Sequence, residues 1–142
     1  MIAIMEMNSQ HIDQAKRLAD NNRDALGFVL RGSFVDAVQK GFAYVAVQGE
    51  HVLGFVLFHH RVRDTQTTLY DICVDEQHRG RGIGKALYDR VLQDCRINNR
   101  EFLQLTCPAK LPSNAFYRNR GMTLHETKQG KTQMLNVYRL AL

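Results

Sequence analysis

Residues 68–95, TLYDICVDEQHRGRGIGKALYDRVLQDC, decide the fold of this chain because a strand, a glycine-rich turn and a helix follow one another directly. The run TLYDICV is rich in β-branched and aromatic residues and predicts a strand over 68–74. From Gly82 to about Ile97, apolar residues recur every four positions, which predicts a helix with one buried face. The residues of that face are Ile83, Leu87, Val91 and Cys95.

The turn between this strand and this helix has the composition of an anion site. Gly80, Gly82 and Gly84 allow a ligand to approach the backbone closely, and Arg79 and Arg81 add positive charge. The first N–H groups of the helix have no intrahelical partner, and the helix dipole favours a negative charge beside them. We therefore expect the turn to bind a pyrophosphate.

Three nucleotide-binding motifs can be compared with this turn. A Walker loop fails because position 79 is Arg and Lys85 is followed by Ala86. A dinucleotide fingerprint fails because the third glycine comes two positions after the second, where three are needed. Arg-x-x-Gly-x-Gly does fit, and it resembles the acyl-CoA pyrophosphate loop of the GNAT superfamily of N-acetyltransferases. The alternative interpretation is a glycine-rich turn with a solvated basic face.

A second motif supports the same resemblance. The segment LPSNAFYRNRGM, residues 111–122, is similar to the family's short helix that ends in an aromatic pair followed by x-x-x-Gly. The resemblance implies an α/β (α+β) fold with a mixed, splayed sheet of six to seven strands and about four helices. In it the parallel strands 68–74 and 102–107 separate, and the pantetheine arm of acetyl-CoA lies in the gap.

The other predicted helices and strands follow one another in the element order of that family, and together they predict a single domain over residues 1–142. Helices are expected over 9–23, from Gly32-Ser33 onward, and over 113–120. Strands are expected over 42–47, 52–58 and 102–107, followed by two closing strands that turn at Gln129-Gly130-Lys131.

The resemblance assigns the binding of acetyl-CoA, the acyl donor, to particular residues. The strand backbone at Ile72, Cys73 and Val74 would pair with the pantetheine arm. The pyrophosphate would lie on Arg79, Gly80, Arg81, Gly82, Ile83, Gly84 and Lys85. Many family members carry an asparagine seven residues before the motif tyrosine, where this chain has Lys110. Lys110 or Asn114 is expected to supply that contact.

Tyr117 and Asp71 are the candidate catalytic residues. A phenol, with a pKa of about 10, can donate a proton to the departing thiolate of CoA, although Tyr117 could also simply pack beside Phe116. Asp71 could accept a proton from the amine, or could be a solvated strand residue. His59 and His60 could line the acceptor pocket or could be surface residues. Because adjacent strand residues face opposite ways, at most one of them points into the pocket.

Composition and cysteine spacing narrow the classes of protein to which this chain can belong. The 44% hydrophobic and 23% charged residues are ordinary for a globular protein, and no apolar run approaches the roughly 20 residues that would span a membrane. The three cysteines are too far apart for a disulfide framework or a metal site, and buried thiols are poor nucleophiles. The N-terminal residues lack a signal-peptide pattern, which predicts a cytoplasmic protein.

These observations together predict an N-acetyltransferase that moves an acetyl group from acetyl-CoA to a primary amine. The alternative is a catalytically silent acyl-CoA-binding sensor or scaffold. The net charge of +5 also fits a nucleic-acid-binding domain, but no helix-turn-helix, RNA-binding or zinc pattern supports one, so no nucleic-acid partner is expected. The amine acceptor is left open, and the resemblance allows a homodimer.

Overall fold

The computed structural model describes residues 1–142 and contains one seven-stranded sheet with helices on both faces. The strands, in spatial order β1-β2-β3-β4-β5-β7-β6, are β1 Ala3–Glu6, β2 Ala43–Gln48, β3 His51–His60, β4 Gln66–Val74, β5 Phe102–Pro108, β6 Thr123–Gln129 and β7 Met134–Ala141. The helices are α1 Ile12–Asp20, α2 Arg23–Leu26, α3 Arg31–Lys40, α4 Ile83–Ile97 and α5 Ser113–Asn119. This arrangement confirms the predicted mixed α/β fold.

Two short elements were not predicted from the sequence. Strand β1 has only four residues, and none of them is fully buried, so its sequence shows no alternation of apolar and polar residues. It forms because it pairs antiparallel with β2. Helix α2 also has four residues and separates the predicted helix 9–23 from α3. The start of that predicted helix, Ser9–His11, is a 3-10 turn capped by Asn8, whose side chain accepts from the N–H of Gln10.

Parallel pairing between β4 and β5 is brief. It covers Gln66–Thr68 against Phe102–Gln104 and then stops. Beyond it, β4 stays paired with β3 as far as Val74, and β5 stays paired with β7 as far as Pro108. The two strands therefore separate toward their carboxyl ends, as the fold prediction expected, and a gap with unpaired strand backbone opens in the middle of the sheet.

Helix α4 covers one face of the sheet. Its buried residues are the four that the sequence pattern predicted, together with Tyr88. Burying each Leu or Val of such a face contributes about 1.5–3 kcal/mol. Helices α1 and α3 cover the other face through residues that include Ala15, Phe34 and Ala37. None of the helices combines the length and apolar character needed to cross a membrane.

The carboxyl-terminal end of α4 is attached to the sheet by a buried polar network. Asp94 accepts a hydrogen bond from the Tyr44 hydroxyl at 2.8 Å and lies 2.7 Å from Nε2 of His60. The other ring nitrogen of His60 lies 2.6 Å from the hydroxyl of Thr67. Because His60 and Thr67 belong to β3 and β4, the network fixes α4 against the two strands that carry the candidate site.

Close packing at Gly54 gives a first testable prediction. A Cβ atom there would lie 2.8 Å from the carbonyl oxygen of Cys73 and 3.3 Å from side-chain atoms of Ile83 and Leu87. Gly54→Ala should therefore lower the free energy of unfolding by about 1–3 kcal/mol, because backbone cannot move aside cheaply. Urea denaturation measures the change.

Gly32→Ala in α3 is the matched control. A Cβ atom at Gly32 meets nothing within 4 Å. This variant should be unchanged or more stable by up to about 1 kcal/mol, because alanine restricts the unfolded chain. Equal stabilities for the two variants would mean that β3 and α4 are not packed as closely as the structure describes.

Candidate active site

The turn before α4 is formed by glycines in left-handed backbone conformations. Both Gly80 and Gly82 have φ of 79°, and Gly82 is the N-cap residue of α4. A Cβ atom at either position would meet no atom within 4 Å, so the backbone angle rather than crowding favours glycine there. Because both glycines border open space, a ligand can approach the backbone.

The amino-terminal end of α4 has no side-chain cap. The N–H of Ala86 bonds to the carbonyl of Gly82 at 3.0 Å, and the N–H groups before it have no partner within the helix. Ile83, Gly84 and Lys85 therefore present donors at the positive end of a 15-residue helix. These N–H groups are the donors that a pyrophosphate would use, and its binding at this helix end stays a prediction.

The basic side chains around this turn differ in what they contact. Arg79 donates to the carbonyl of Val74 at 3.2 Å and to the side chain of Asn22 at 2.7 Å, so it ties the turn to the end of β4 and to the end of α1. Arg81 lies 2.8 Å from Nδ1 of His78, and Lys85 pairs with Asp89 on the surface of α4. Neither arginine pairs with a carboxylate, so the turn keeps a local positive charge.

Gly84 differs from Gly80 and Gly82 because it lies against another part of the protein, where the two sequence motifs pack together. A Cβ atom there would lie 3.3 Å from the ring of Phe116, which comes from α5. The first turn of α4 and the helix of the second motif are therefore in direct contact. Tyr117, the next residue along α5, is buried in the cluster on the α4 side of the sheet, and Asp71 of β4 and Cys107 of β5 both raise the pKa of its phenol.

The predicted strand residues 72–74 lie in the part of β4 that has separated from β5. Ile72 and Val74 pack on the α4 side, whereas Cys73 is buried on the side of α1 and α3. Burial raises the pKa of the Cys73 thiol to about 11, which makes it a poor nucleophile. The contribution open to these residues is therefore the backbone on the edge of β4 that faces the gap, where the Val74 carbonyl accepts from Arg79.

Tyr117 is 7% exposed and makes no hydrogen bond to another group of the protein. Burial raises the pKa of its phenol well above the ordinary value, and the neighbouring Cys107, Asp71 and Tyr88 raise it further. The hydroxyl is therefore protonated at neutral pH and has no internal partner, which is the state that a general acid requires.

Asp71 is a partly buried carboxylate without a hydrogen-bond or ion-pair partner. Burial alone raises its pKa to about 6. A β-bulge is the reason for its position: Leu57 pairs with Asp71 and Phe58 pairs with Leu69, so β4 carries one extra residue, Tyr70. The bulge interrupts the strict alternation of the strand, and both Tyr70 and Asp71 line the same cleft.

That cleft lies between α3 and strands β3 and β4, and its volume is about 380 Å³. Its lining residues are Ser33, Asp36, Ala37, Lys40, Phe42, Leu57, Phe58, His59, Tyr70 and Asp71. His59 faces the cleft, whereas His60 is held in the buried network with Asp94, as the expected alternation requires. Burial, followed by the charge of Lys40, lowers the pKa of His59.

The two residues expected to replace the family asparagine lie in different surroundings. The Asn114 amide nitrogen donates to three backbone carbonyls of the preceding turn, at 2.7 to 3.3 Å. Its oxygen accepts from Asn136 at 2.9 Å and from the Tyr138 hydroxyl at 2.8 Å. Asn114 thus has a structural role that connects β5, α5 and β7. Lys110 is exposed in the turn after β5 and is the one of the two that is free to reach a ligand.

The cleft contains residues that the sequence did not identify as candidates. Ser33, Asp36 and Lys40 lie on α3, and nothing in their spacing connects them with Asp71 on β4. Tyr70 was also missed because no residue pattern marks the bulge. Only the packing of α3 against β3 and β4 brings these side chains together.

Comparison with known proteins gives independent information on this site. Residues 10–122 match the profile of the acetyltransferase (GNAT) family. The 5-NmdU N-acetyltransferase of Pseudomonas phage PaMx11 is 30% identical over 88 residues, which are 62% of this chain and 61% of that protein. The chain therefore aligns with about three fifths of that relative.

Two solved structures show the extent of the fold similarity. Ard1 from Thermoplasma volcanium has a TM-score of 0.88 at 19% identity, covering 99% of this chain and 97% of that chain. Arabidopsis thaliana Naa50, solved with the bisubstrate analogue CoA-Ac-MVNAL, has a TM-score of 0.80 at 19% identity, covering 99% of both chains. Proteins with this fold therefore include one solved with a CoA-based ligand.

The unpaired Asp71 should make stability depend on pH. Its folded-state pKa of about 6 lies above the unfolded value, so the folded protein binds more protons between about pH 4 and pH 6. The stability contribution of Asp71 is therefore full below about pH 4 and is lost as the pH rises through 6. Asp71→Asn should raise the melting temperature at pH 7.5, equivalent to roughly 1–3 kcal/mol, and should change it little at pH 4.

Glu50→Gln is the control for this experiment, because Glu50 is exposed and its side chain pairs with no other group. Thermal unfolding of both variants across this pH range measures the effect. If Asp71→Asn and Glu50→Gln shift the melting temperature equally at pH 7.5, the Asp71 carboxylate does not lie in the desolvated position described.

Proposed function

This chain belongs to the GNAT family of acetyltransferases, and on that premise we propose that it transfers the acetyl group of acetyl-CoA to a primary amine by direct attack. The observation that carries the proposal is the position of Tyr117. Its protonated hydroxyl is free of internal partners, Asp71 of β4 and Cys107 of β5 both raise its pKa, and the neighbouring Phe116 contacts the first turn of α4. A donor with its pyrophosphate on that helix end and its pantetheine arm along the gap would bring its sulfur toward this hydroxyl.

The donor would be held mainly by backbone. The N–H groups of Ile83, Gly84 and Lys85, with the charges of Arg79 and Arg81, would bind the pyrophosphate. The unpaired edge of β4 at residues 72–74 would pair with the pantetheine arm, and an N–H near Cys73 would stabilise the oxyanion that forms on the thioester. Lys110 is proposed as a further contact to the donor.

The transfer itself needs three proton and bond changes. The amine nitrogen attacks the thioester carbon, and the C–S bond breaks. The proton lost by the amine goes to Asp71, directly or through water, while the leaving sulfur takes the proton of Tyr117. Transfer of a proton from Asp71 through water to the phenolate restores both groups.

Asp71 has properties suited to this role. A lysine-like amine with a pKa near 10.4 is uncharged in only about one molecule in 2,500 at pH 7, so a base near the acceptor is useful. A pKa of about 6 leaves Asp71 ionised at pH 7 and brings it closer to the operating pH than an ordinary aspartate. The adjoining cleft between α3 and β4 is the proposed acceptor site.

The acceptors to test first come from the relatives. The phage relative is named for 5-NmdU, and the Naa50 ligand contains the peptide sequence MVNAL. We therefore propose 5-NmdU and peptide amino termini as the first two acceptor classes in a panel that also holds lysine peptides, polyamines and amino sugars. Thiol release from acetyl-CoA measures turnover.

Tyr117→Phe tests the proposed general acid. Removing one hydroxyl should lower kcat by about ten-fold or more, because the thiolate loses its proton donor, and should leave the Kd for acetyl-CoA nearly unchanged. Tyr88→Phe is the matched control: Tyr88 is also buried, and its hydroxyl has no hydrogen-bond partner, so this variant should keep its kcat.

The same experiment separates the enzyme from a silent acyl-CoA-binding sensor or scaffold. A sensor would bind acetyl-CoA and release no thiol with any amine, whether or not Tyr117 is present. Full turnover in Tyr117→Phe would instead leave an enzyme but remove Tyr117 from its mechanism.

The pH profile tests Asp71. Because its carboxylate must be ionised to accept a proton, kcat/KM should rise with pH through about 6 and then level off. In Asp71→Asn this acidic limb should disappear, together with most of the activity. An unchanged limb in the variant would assign it to another group.

A further inference from the structure

A second groove adjoins the cleft of Asp71 and has different chemistry. Its lining residues are His59, Arg61, Val62, Arg63, Thr68 and Tyr70, and its volume is about 420 Å³. His59 and Tyr70 line both depressions, so the groove and the cleft lie next to each other. A molecule seated in the cleft can therefore extend into the groove.

The two depressions carry charges of opposite sign. The cleft contains the carboxylates of Asp36 and Asp71 with one ammonium, that of Lys40, which pairs with Asp36 at 3.1 Å, so the unpaired negative charge is that of Asp71. The groove contains two arginines and no carboxylate. Arg61 pairs with Asp64 at 3.1 Å outside the groove lining, whereas Arg63 is exposed and pairs with no acidic side chain.

The groove also has uncovered apolar and aromatic walls. Val62 is 94% exposed and Tyr70 is 59% exposed. Because the bulge of β4 places Tyr70 between the cleft and the groove, its ring is available to stack on a flat ligand.

The loop that carries these arginines is held in place from behind. Nη2 of Arg100 donates to the carbonyls of Arg61, Asp64 and Gln66 at 2.7, 2.9 and 2.7 Å. The Thr65 hydroxyl donates to Glu101 at 2.8 Å. The position of the groove is therefore set before any ligand binds, which reduces the entropy cost of binding.

The groove is also separate from the donor-binding turn. Residues 61–65 precede β4 and the glycine turn follows it, so the two basic regions lie at opposite ends of a nine-residue strand of about 26 Å. Arg61 and Arg63 thus serve neither the pyrophosphate of the donor nor the packing of α4. Because Arg61 pairs with Asp64, it is the charge of Arg63 that needs another explanation.

We propose that the amine acceptor is an aminated nucleotide, whose amine enters the acidic cleft while its base stacks on Tyr70 and its phosphate lies near Arg63 and Arg61. This inference rests on the proposed function, because the groove is an extension of the proposed acceptor site. It differs from the sequence-based expectation of no nucleic-acid partner, because it proposes a specific, small contact surface for a nucleotide. A cation, a flat ring and an anion in that order match the acidic cleft, Tyr70 and the arginines.

The test compares three acceptors that carry the same aminomethylated pyrimidine: the nucleoside, its monophosphate and a single-stranded oligodeoxynucleotide. KM for the phosphate-bearing acceptors should be at least five-fold below that for the nucleoside. A gain already complete in the monophosphate indicates one phosphate contact, and a further gain in the oligonucleotide indicates a strand. Equal KM values for all three, or a lower KM for a peptide amine, would overturn the inference.

Substitutions in the groove test whether the lower KM of the phosphate-bearing acceptors depends on its side chains. Arg63→Gln should raise KM for the oligonucleotide about five-fold and reduce the slope of log KM against log salt by roughly 0.7, the value for one lost single-strand phosphate contact. Arg17→Gln, which removes one exposed charge from α1, should change neither quantity. Tyr70→Ala should raise KM at least five-fold, and Tyr70→Phe should restore it, because the phenyl ring retains the stacking surface.

A binding measurement keeps this inference separate from the proposed function. Fluorescence anisotropy with the labelled oligonucleotide needs no turnover. Binding by the unmodified protein that weakens in Arg63→Gln and Tyr70→Ala supports the groove even if no amine is acetylated, in which case the proposed function fails alone. Acetylation of other amines without any binding of the oligonucleotide would overturn the groove and leave the proposed function intact.

Discussion

The separation of β4 from β5 after Thr68 and Gln104 is the constraint on which the rest of the structure depends. A sheet that stayed paired would satisfy every backbone group and leave no room between its central strands. Here each strand keeps its outer partner, so the gap does not cost the sheet its continuity. The gap provides unpaired backbone on β4 and a place beside which Tyr117 can lie.

Helix α4 brings an uncapped amino-terminal end toward this gap. Its amino terminus is left uncapped behind Gly82, while Asp94 near its other end is fixed by Tyr44 and His60. Close contacts at Gly54 and Gly84 allow α4 to approach both β3 and α5. The helix end that would bind the donor therefore cannot move independently of the strand and helix that carry the candidate catalytic groups.

The proposed acceptor site is marked by two charged side chains that have no ion-pair partner in the folded protein. Asp71 is partly buried without a partner, which raises its pKa to about 6 and costs stability at neutral pH. Arg63 is exposed without an acidic partner on the other side of Tyr70. Unpaired groups of opposite sign on either side of one aromatic ring are better explained by a ligand that pairs with both than by the stability of the fold.

The sequence by itself determined the strand–turn–helix around Gly82, the buried face of α4 and the second motif at Phe116 and Tyr117, because glycine spacing and apolar periodicity are local properties. The resemblance of its two motifs to those of the GNAT superfamily also indicated the splayed sheet. It missed β1, which forms only by pairing with β2, and it missed the bulge at Tyr70 and the α3 side of the cleft. Those features, and the internal role of Asn114, depend on contacts between residues far apart in the chain, which only the tertiary structure decides.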